Sequence, residues 1–555
     1  MILTPVSLWM DFDSGRSSGV VSCENRIKDG IKYEYVSFYG RNTEEGRVLI
    51  YGVVASEENS PSKNCVLILQ DGGTAVDENL LAYYVKKGYT AMCVDYCGRR
   101  EGVEKYTIYP NDIEYANWDY CRYNLLAVNK TVEETCWYEW TVVGVYARQF
   151  LTEKFATENV GLVGINDGGE IAWKLAYVAD FSCAIMVNAC GWRAYKGSSK
   201  FNGYDHKFND AEYKFIAGLD SQSYAPYVKC PVLLLCSTGI EDFNYDRAYD
   251  TFSRINPKFA PSSSIAYSLN CDMCIDENSK RDMFMFLDSN VKKRYVFMPK
   301  PVEVNIVMDN DQNLLACVKC DRSGIVEKCG AFISEDSSDF STRNWSTAPL
   351  VSKDNPYDSR YALNVFEKTS SVFVIAYASY SSGFTVWSKV AVKKVSGRFR
   401  NSRSKSKILY CNSFGPESFI PENCFANSIG GMFLDDDEVV PHVINLCGLD
   451  GVYSKCGLKT KRVMCPQFVP DAESILKFDF CSEEDTCVTV KLTTKYLKEE
   501  YSLTLNIIGG VWQSLIIEPK MLKNKYGAPL GNFTECESVS INAESKFALN
   551  NLMWL

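Results

Sequence analysis

The feature that constrains this chain most is a cluster of glycines between an apolar run and a helical pattern. Gly164, Gly168 and Gly169 stand in the segment VGLVGINDGGEIAWKLA. The apolar run before them is typical of a buried strand, and the residues after them have helical spacing. Because glycine has no side chain, it lets a strand and the following helix approach closely through a strained turn. The segment therefore predicts a tight strand-to-helix turn with Asn166 at its apex.

Short apolar runs and helical patterns alternate over residues 30–290. The predicted strands include 65–69, 90–95, 160–164, 183–188, 232–237 and 265–269, and the predicted helices include 79–87, 133–153 and 169–179. This alternation is the signature of a doubly wound sheet. Helices on both faces of that sheet would also explain why these strands are continuously apolar.

Beyond residue 291 the helical patterns end, and β-rich runs separated by polar loops follow. We predict an α/β domain at 1–291, a small antiparallel β-sandwich domain at 292–396, a linker at 397–406 and a second all-β domain at 407–555. The linker is basic and serine-rich. It is either a solvated connection, which is the interpretation we favour, or an anion-binding strip.

The glycine-rich turn matches the pattern G-x-S-x-G, which presents a catalytic nucleophile on a strained turn, and Asn166 occupies the nucleophile position. With VLILQDGG, KKGYTAMCVDYCG and ETCWYEW in this order, the segment resembles the α/β-hydrolase superfamily. More narrowly, it resembles the acetyl xylan esterase-like and dienelactone hydrolase-like branch. The resemblance covers residues 35–290 and implies a multidomain protein in which an α/β-hydrolase sheet precedes two all-β domains.

The resemblance also implies positions for the rest of a catalytic site. The acid would be Asp242, with Glu241 as second choice, in the segment after the strand VLLLCST. The histidine position falls on Met273. The oxyanion would be bound by backbone N–H groups, which are those of Asp167, Gly72 and Gly73.

These residue types do not support hydrolase chemistry. Asn has no proton whose loss gives a nucleophile, Met is not a base, and the two histidines, His206 and His442, lie elsewhere. Asp167 could act as nucleophile only with a one-residue shift of the turn and a base to activate water. A hydrolase without its triad keeps only about 10³–10⁴-fold acceleration over water. We therefore predict a catalytically degenerate hydrolase-like protein, a pseudoenzyme, that binds a ligand or a partner.

Two alternatives stay open. The first is an active carboxylic-ester hydrolase, similar to acetyl xylan esterases, with a non-standard nucleophile. The second is a structural subunit of an assembly. Cys271 and Cys274 lie in the loop that lacks the base, and we interpret them as structural. The expected ligand is a carbohydrate or a small ester, and we expect no cofactor.

Residues 407–555 resemble the galactose-binding-like jelly roll of many carbohydrate-binding modules. The run at Trp512 and the ending Asn550–Trp554 carry this resemblance, which implies sugar binding through aromatic platforms and polar edges. Because Trp512 and Trp554 sit in strand patterns, we assign both to the core. The exposed-looking alternatives are Tyr453, Tyr501 and Tyr526.

Composition limits the partners and the compartment. The net charge of −10 argues against a nucleic-acid partner. No stretch approaches the ~18 apolar residues of a membrane span, and the N-terminus lacks a secretory pattern, so we expect a cytoplasmic protein that does not enter a membrane. The 23 cysteines then fit free thiols in a reducing compartment. Cys317 with Cys320 resembles half a zinc site, but no second half follows, and we expect no metal.

Overall fold

The structure is a computed structural model that describes residues 2–12, 19–195, 199–201, 206–271, 275–397, 399–422, 438–495 and 497–555. Its α-helices are α1 (Pro5–Trp9), α2 (Glu78–Lys86), α3 (Trp118–Cys121), α4 (Cys136–Phe155), α5 (Asp167–Val178), α6 (Asp210–Gly218), α7 (Tyr245–Phe252) and α8 (Glu277–Asn290).

The strands that precede α8 are β1 (Val20–Lys28), β2 (Ile31–Asn42), β3 (Arg47–Glu57), β4 (Cys65–Leu69), β5 (Thr90–Val94), β6 (Val160–Ile165), β7 (Cys183–Val187), β8 (Val232–Ser237) and β9 (Ser264–Ser268). They form one mixed sheet in the order β1-β2-β3-β5-β4-β6-β7-β8-β9. Strands β5, β4, β6, β7, β8 and β9 run parallel to their neighbours in this series. Strands β1, β2 and β3 add an antiparallel edge that the sequence patterns did not predict.

Helices cover both faces of this mixed sheet. On β2, Tyr35 donates its hydroxyl to Glu78 Oε1 of α2 at 2.6 Å, whereas Phe38 stacks on Phe150 of α4 with ring centroids 4.7 Å apart. Because successive side chains of a strand point to opposite faces, α2 and α4 lie on opposite sides of the sheet. This is the arrangement expected of a doubly wound sheet.

The direction of winding reverses between β4 and β6. The chain continues from β4 to β5 on one side of β4 and then crosses to β6 on the other side. In open α/β sheets, the segments that leave the carboxyl ends of the strands at such a reversal bound a crevice. The segments after β4 and β6, which contain Asp71 and Asn166, therefore come together here.

The strands between α8 and residue 395 are β10 (Glu303–Met308), β11 (Leu314–Lys319), β12 (Val326–Glu335), β13 (Ser346–Thr347), β14 (Leu350–Asn355), β15 (Asp358–Ala362), β16 (Ser371–Tyr380), β17 (Thr385–Trp387) and β18 (Ala391–Lys394). They form two antiparallel sheets, β10-β11-β15-β14 and β13-β12-β16-β17 with β18 beside β16, which we call the middle sheets.

The remaining strands are β19 (Ile408–Tyr410), β20 (Ile420–Pro421), β21 (His442–Leu446), β22 (Leu449–Tyr453), β23 (Leu458–Thr460), β24 (Leu476–Ser482), β25 (Thr486–Thr494), β26 (Glu500–Ile507), β27 (Gln513–Ile517), β28 (Lys523–Asn524), β29 (Cys536–Ala543) and β30 (Phe547–Trp554). They also form two antiparallel sheets, β21-β22-β30-β24-β27 with β19 beside β30 and β20-β23-β29-β25-β26-β28, which we call the C-terminal sheets.

The buried apolar side chains divide into two main clusters. One runs from Leu8 to Phe399 and is shared by the mixed sheet and the middle sheets, and the other runs from Leu409 to Trp554. The chain is therefore a multidomain, sheet-rich protein in which most strand pairs are antiparallel. In the predicted linker, Asn401 donates its side-chain N–H to Leu314 O at 3.0 Å, so this stretch is fastened to the middle sheets. The predicted domain boundaries stay predictions.

Three sequence expectations concern the chain as a whole. Within the ranges that the structure describes, no helix is long and apolar enough to cross a membrane. The same ranges hold no group of three or more His, Cys, Asp or Glu that could bind a metal ion. Cys456 is disulfide-bonded, so the expectation of free thiols is wrong at this position.

Candidate functional site

Asn166 occupies a strained strand-to-helix turn. It lies between the fully buried β6 and the first residue of α5, with φ 49° and ψ −112°. Residues other than glycine rarely adopt a positive φ, and they do so where the surrounding structure enforces it. The tight turn predicted from the glycine pattern is present, with Asn166 at its apex.

Three glycines allow the turn to pack this tightly. A Cβ added to Gly168 would lie 2.2 Å from Leu69 O, and one added to Gly164 would lie 2.3 Å from Gly168 O. A Cβ on Gly169 would lie 2.5 Å from the Cβ of Ala189. All three distances are far below van der Waals contact, so a larger residue would have to displace backbone. The close approach of α5 to β4 and β6 therefore explains the glycine pattern.

The Asp71 carboxylate fills the space in front of the turn. Its Oδ1 accepts the backbone N–H of Gly72 at 2.9 Å and that of Asp167 at 3.3 Å. Its Oδ2 accepts the side-chain N–H of Asn166 at 3.0 Å. Gly72 and Asp167 are two of the three predicted oxyanion donors. An internal carboxylate thus already accepts the N–H groups of two of the predicted donors.

The third predicted donor, Gly73, faces a different acceptor. Its backbone N–H donates to Cys97 Sγ at 3.4 Å. The indole of Trp118 covers this turn, because a Cβ on Gly72 would meet its ring at 2.4 Å and one on Gly73 at 2.6 Å. Trp118 therefore restricts access to the predicted oxyanion donors from outside.

The position of Asp71 changes its acidity. The pKa of Asp71 is raised to about 6, chiefly by burial and also by the charge of the neighbouring Asp167 carboxylate. The hydrogen bonds from Asn166, Asp167 and Gly72 act in the opposite direction, because they stabilise the charged form. Asp71 therefore titrates just below neutral pH, and at neutral pH its carboxylate is mainly charged.

Charged side chains pack next to the turn at the start of α5. Arg193 Nη1 donates to Asp167 Oδ1 at 2.6 Å. Lys174 is buried and donates its Nζ–H to the carbonyl oxygen of Glu170 at 2.9 Å. Burial lowers the pKa of Lys174 to about 8, although the Glu170 carboxylate opposes this shift. The carboxylate of Asp167, the alternative nucleophile, is thus committed to an ion pair with Arg193.

The two acid candidates lie exposed in the segment after β8. Glu241 Oε1 is 3.4 Å from Lys498 Nζ, which also pairs with Glu537 Oε2 at 2.5 Å. Strand β7 separates β8 from β6. Asp242 and Glu241 therefore follow the carboxyl end of a strand, as Asn166 does. Glu241, however, pairs with a residue of the C-terminal region.

The histidine position cannot be located, because Met273 lies outside the described residues, as does Cys274. Cys271 is half-buried, and its carbonyl oxygen accepts the N–H of Gly239 at 2.7 Å. The backbone of Cys271 thus links the segments that follow β8 and β9. The assignment of Met273 stays a prediction.

Asn270 fastens the segment after β9 to the two other parts of the chain. Its side-chain N–H donates to Trp345 O at 2.9 Å and to Glu417 O at 2.7 Å, and its Oδ1 accepts the N–H of Trp345 at 2.8 Å. Nearby, Lys461 donates its Nζ–H to Ser341 O at 2.7 Å. The edge of the mixed sheet that would carry a base is therefore joined to the middle region and the C-terminal region.

The sequence patterns missed Asp71, Arg193 and Trp118. Asp71 stands directly before Gly72 and Gly73 in VLILQDGG, so its proximity to the predicted oxyanion donors was available from the sequence. The direction of its carboxylate was not, because that depends on the pairing of β4 with β6. Arg193 and Trp118 belong to no motif, and no sequence signal marks them.

A second candidate site lies in the C-terminal sheets. A cleft of about 170 Å³ is lined by Leu449, Asp479, Trp512, Gln513, Ser514, Asn550 and Asn551. Trp512 is half-buried, and its Nε1–H donates to Leu446 O at 2.9 Å, which fixes the ring. Trp554 is buried and donates to Phe468 O at 2.9 Å. The core prediction is confirmed for Trp554, whereas Trp512 lines the cleft.

The three alternative aromatic residues differ in exposure. Tyr453 is buried and Tyr501 is half-buried. Tyr526 alone of the three is exposed, with 78% of its surface accessible. None of them lines the Trp512 cleft.

No protein-family model and no curated protein matches this chain. Solved structures with a similar fold include an acetyl xylan esterase from Paenibacillus sp. R4, at 13% identity and a TM-score of 0.39, over 52% of this chain and 92% of the esterase. Acetyl xylan esterase 1 from Thermoanaerobacterium sp. JW/SL YS485 is 12% identical, with a TM-score of 0.37, over 49% of this chain and 88% of its own.

A dienelactone hydrolase, described as putative, from Klebsiella pneumoniae subsp. pneumoniae MGH 78578 is 11% identical, with a TM-score of 0.31. The match covers 47% of this chain and 99% of the hydrolase. At identities and TM-scores this low, the likenesses assign this chain neither a family nor an activity.

Proposed function

We propose that this protein is a hydrolase-derived binding and interaction protein without ester-hydrolase activity. The observation that carries the proposal is the Asp71 carboxylate, which already occupies the N–H groups of Gly72 and Asp167. A substrate oxyanion would have to displace this carboxylate or lie against its negative charge. Loss of a single oxyanion donor costs a hydrolase about 10²–10³-fold in kcat.

Asn166 contributes to this arrangement in a second way. Its amide is no nucleophile, but its N–H stabilises the charged form of Asp71. Asp167 is paired with Arg193 and is not available to attack an ester. Asn166 and Arg193 therefore each pair with a carboxylate of the turn, and in this proposal the turn serves packing rather than chemistry.

The proposal is tested by hydrolysis of p-nitrophenyl acetate by the full-length protein. We expect the wild type and Asn166→Ser to match the background rate, because Asp71 still occupies the donors in both. The matched control is Tyr526→Ala, an exposed substitution in the C-terminal region. Wild-type turnover that is lost in Asn166→Ala or Asp167→Asn, but kept in Tyr526→Ala, would show that the protein is an active esterase.

A carbohydrate is the ligand that the Trp512 cleft suits best. The apolar face of a sugar ring packs on an indole, while its hydroxyls bond to carboxylate and amide groups. Trp512 lies beside Asp479, Asn550 and Asn551 in the cleft, which offers both kinds of contact. Asp479 is held in place by Ser514 Oγ at 2.5 Å and by Asn551 Nδ2 at 2.6 Å, so its position is fixed before a ligand binds.

Titration calorimetry with a panel of neutral mono- and oligosaccharides tests this binding. We expect heat of binding for at least one sugar, and its loss in Trp512→Ala but not in Tyr526→Ala. Absence of binding across the panel, or binding that survives Trp512→Ala, would count against the cleft as a sugar site. This result is independent of the esterase assay.

A further inference from the structure

Strand β1 forms an open edge of the mixed sheet. All nine of its residues are exposed, including Val21 at 48% and Ile27 at 58% of their surface. It pairs with β2, and among the described residues no strand pairs with its other side. A long exposed edge strand presents unpaired N–H and C=O groups that can pair with another chain.

The turn between β1 and β2 fixes which backbone groups point outward. Asp29 and Gly30 both have positive φ, at 53° and 74°, and connect the paired residues Lys28 and Ile31. Such a two-residue turn closes on a hydrogen-bonded pair, and hydrogen-bonded and non-hydrogen-bonded pairs then alternate along the ladder. Lys28, Arg26 and Glu24 therefore direct their backbone groups to β2. The residues between them direct theirs to the open edge.

The side chains of β1 also alternate. Glu24, Arg26 and Lys28 share one face of the strand, and Cys23, Asn25 and Ile27 share the other, which carries no charge. Alternation of charged and uncharged residues is typical of a strand with one covered face, yet both faces of β1 are exposed in the single chain. The uncharged face and the open backbone edge are therefore both available to a second molecule.

We propose that two copies of this chain pair through β1 in an antiparallel arrangement with a two-fold axis at Asn25. The outward groups of Asn25 then bond to those of the partner's Asn25 across the axis. Glu24 faces the partner's Arg26, and the symmetry produces this ion pair twice. Cys23 faces the partner's Ile27 on the uncharged face.

The other registers are less favourable on charge. An axis at Glu24 or at Arg26 places that residue opposite its own copy, and like charges directly opposite each other destabilise a ladder. An axis at Ile27 places Arg26 opposite the partner's Lys28. An axis at Cys23 forms no ion pair. Among these registers, only the axis at Asn25 places residues of opposite charge, Glu24 and Arg26, directly opposite each other.

The present partners of these charges do not prevent the pairing. Glu24 Oε2 lies 2.9 Å from Lys105 Nζ, and Arg26 Nη1 lies 3.5 Å from Glu78 Oε2. Glu24, Lys105 and Arg26 are exposed and Glu78 is half-buried, and ion pairs this close to solvent contribute little to stability. Glu24 and Arg26 can keep these partners or exchange them for the partner's Arg26 and Glu24 when the second copy binds. A two-fold pair of identical edges is also the commonest symmetry of protein dimers.

Sedimentation of the full chain tests the pairing by charge reversal. We expect the wild type to sediment at twice 62.6 kDa. Glu24→Arg and Arg26→Glu should each weaken dimerisation by more than about 10-fold, and the double variant should restore it, because it exchanges the charges. Glu134→Lys, in the exposed pair with Lys130, is the control and should leave the dimer unchanged. A monomeric wild type, or a dimer indifferent to Glu24→Arg, would overturn the proposal.

Cross-linking tests the register and does not depend on those variants. In a Cys23→Ser background, Asn25→Cys places two cysteines at the axis, and mild oxidation should join the two copies covalently. Ser22→Cys in the same background is the matched control, because it faces the partner's Lys28, and it should not cross-link. Equal cross-linking at both positions, or none at Asn25→Cys in a dimeric sample, would exclude this register. Neither experiment depends on ester hydrolysis or sugar binding.

Discussion

Asp71 accepts a hydrogen bond from the side-chain amide of Asn166 at 3.0 Å. The two residues come from segments 95 positions apart in the chain and meet where the winding of the mixed sheet reverses. In the proposed function, the carboxylate occupies the site predicted for a substrate oxyanion, and the amide occupies the predicted nucleophile position.

Asp71 should make the stability of the protein depend on pH. Its pKa is raised from the ordinary 3.8 to about 6, chiefly by burial. The folded state therefore holds the proton more tightly than the unfolded state, and stability falls as pH rises from about 4 to about 6. Asp71→Asn should raise the free energy of unfolding at pH 7 by about 1–2 kcal/mol, and this difference should vanish near pH 4.

Urea unfolding at both pH values measures this difference. The matched control is Asp311→Asn, in the exposed turn between β10 and β11. It should change stability by less than about 0.5 kcal/mol at either pH. A gain for Asp71→Asn that is the same at both pH values would contradict titration of Asp71 as its cause.

Gly168 should tolerate no side chain. Its Cβ would lie 2.2 Å from Leu69 O and 2.4 Å from Gln70 O, and both of these atoms belong to the backbone. We expect Gly168→Ala to cost about 3 kcal/mol or more, measured by chemical denaturation. Gly531→Ala is the control, because nothing lies within 4 Å of the added Cβ. If both substitutions cost the same, the close packing of the turn would be disproved.

The buried ion pair between Arg343 and Asp246 joins the middle region to α7. Arg343 Nη2 donates to Asp246 Oδ2 at 2.8 Å, and both side chains are fully buried. Arg343→Met would leave the Asp246 charge buried without its partner, at a cost of about 3–5 kcal/mol. The exposed pair of Arg360 with Asp354 provides the control.

Arg360→Met should cost less than about 1 kcal/mol, because the exposed charges stay solvated. Thermal unfolding of the two variants beside the wild type makes the comparison. A small loss for Arg343→Met would mean that water or another residue compensates Asp246.

Asn270 should stabilise the junction of the three regions through its side chain. Asn270→Gly keeps the positive φ of 52° accessible and removes the three hydrogen bonds to Trp345 and Glu417. We expect a loss of about 2–3 kcal/mol and faster proteolysis. Gln312→Gly is the control, because Gln312 also has a positive φ, of 64°, and is exposed. The free energy of unfolding of the Gln312→Gly variant should be unchanged or slightly higher than that of the wild type. Equal effects of the two substitutions would assign the change to the backbone instead.

The sequence alone determined the features that depend on local spacing. The strand-to-helix turn at Asn166 could be predicted because glycines and apolar residues at fixed offsets have one local explanation. The parallel strands were recognisable because burial on both faces makes them continuously apolar. Strand β1 was missed for the opposite reason, since it is exposed on both faces and carries Glu24, Arg26 and Lys28.

Only the tertiary structure decided which side chains meet. The pairing of β4 with β6 brings Asp71 to the N–H of Asp167, and no pattern in either segment encodes that contact. Strand periodicity assigned both Trp512 and Trp554 to the core. Periodicity, however, predicts only the face of the strand on which a side chain lies, and not whether other residues cover that face. Trp554 is covered and Trp512 borders a cleft, because burial depends on the packing of distant segments.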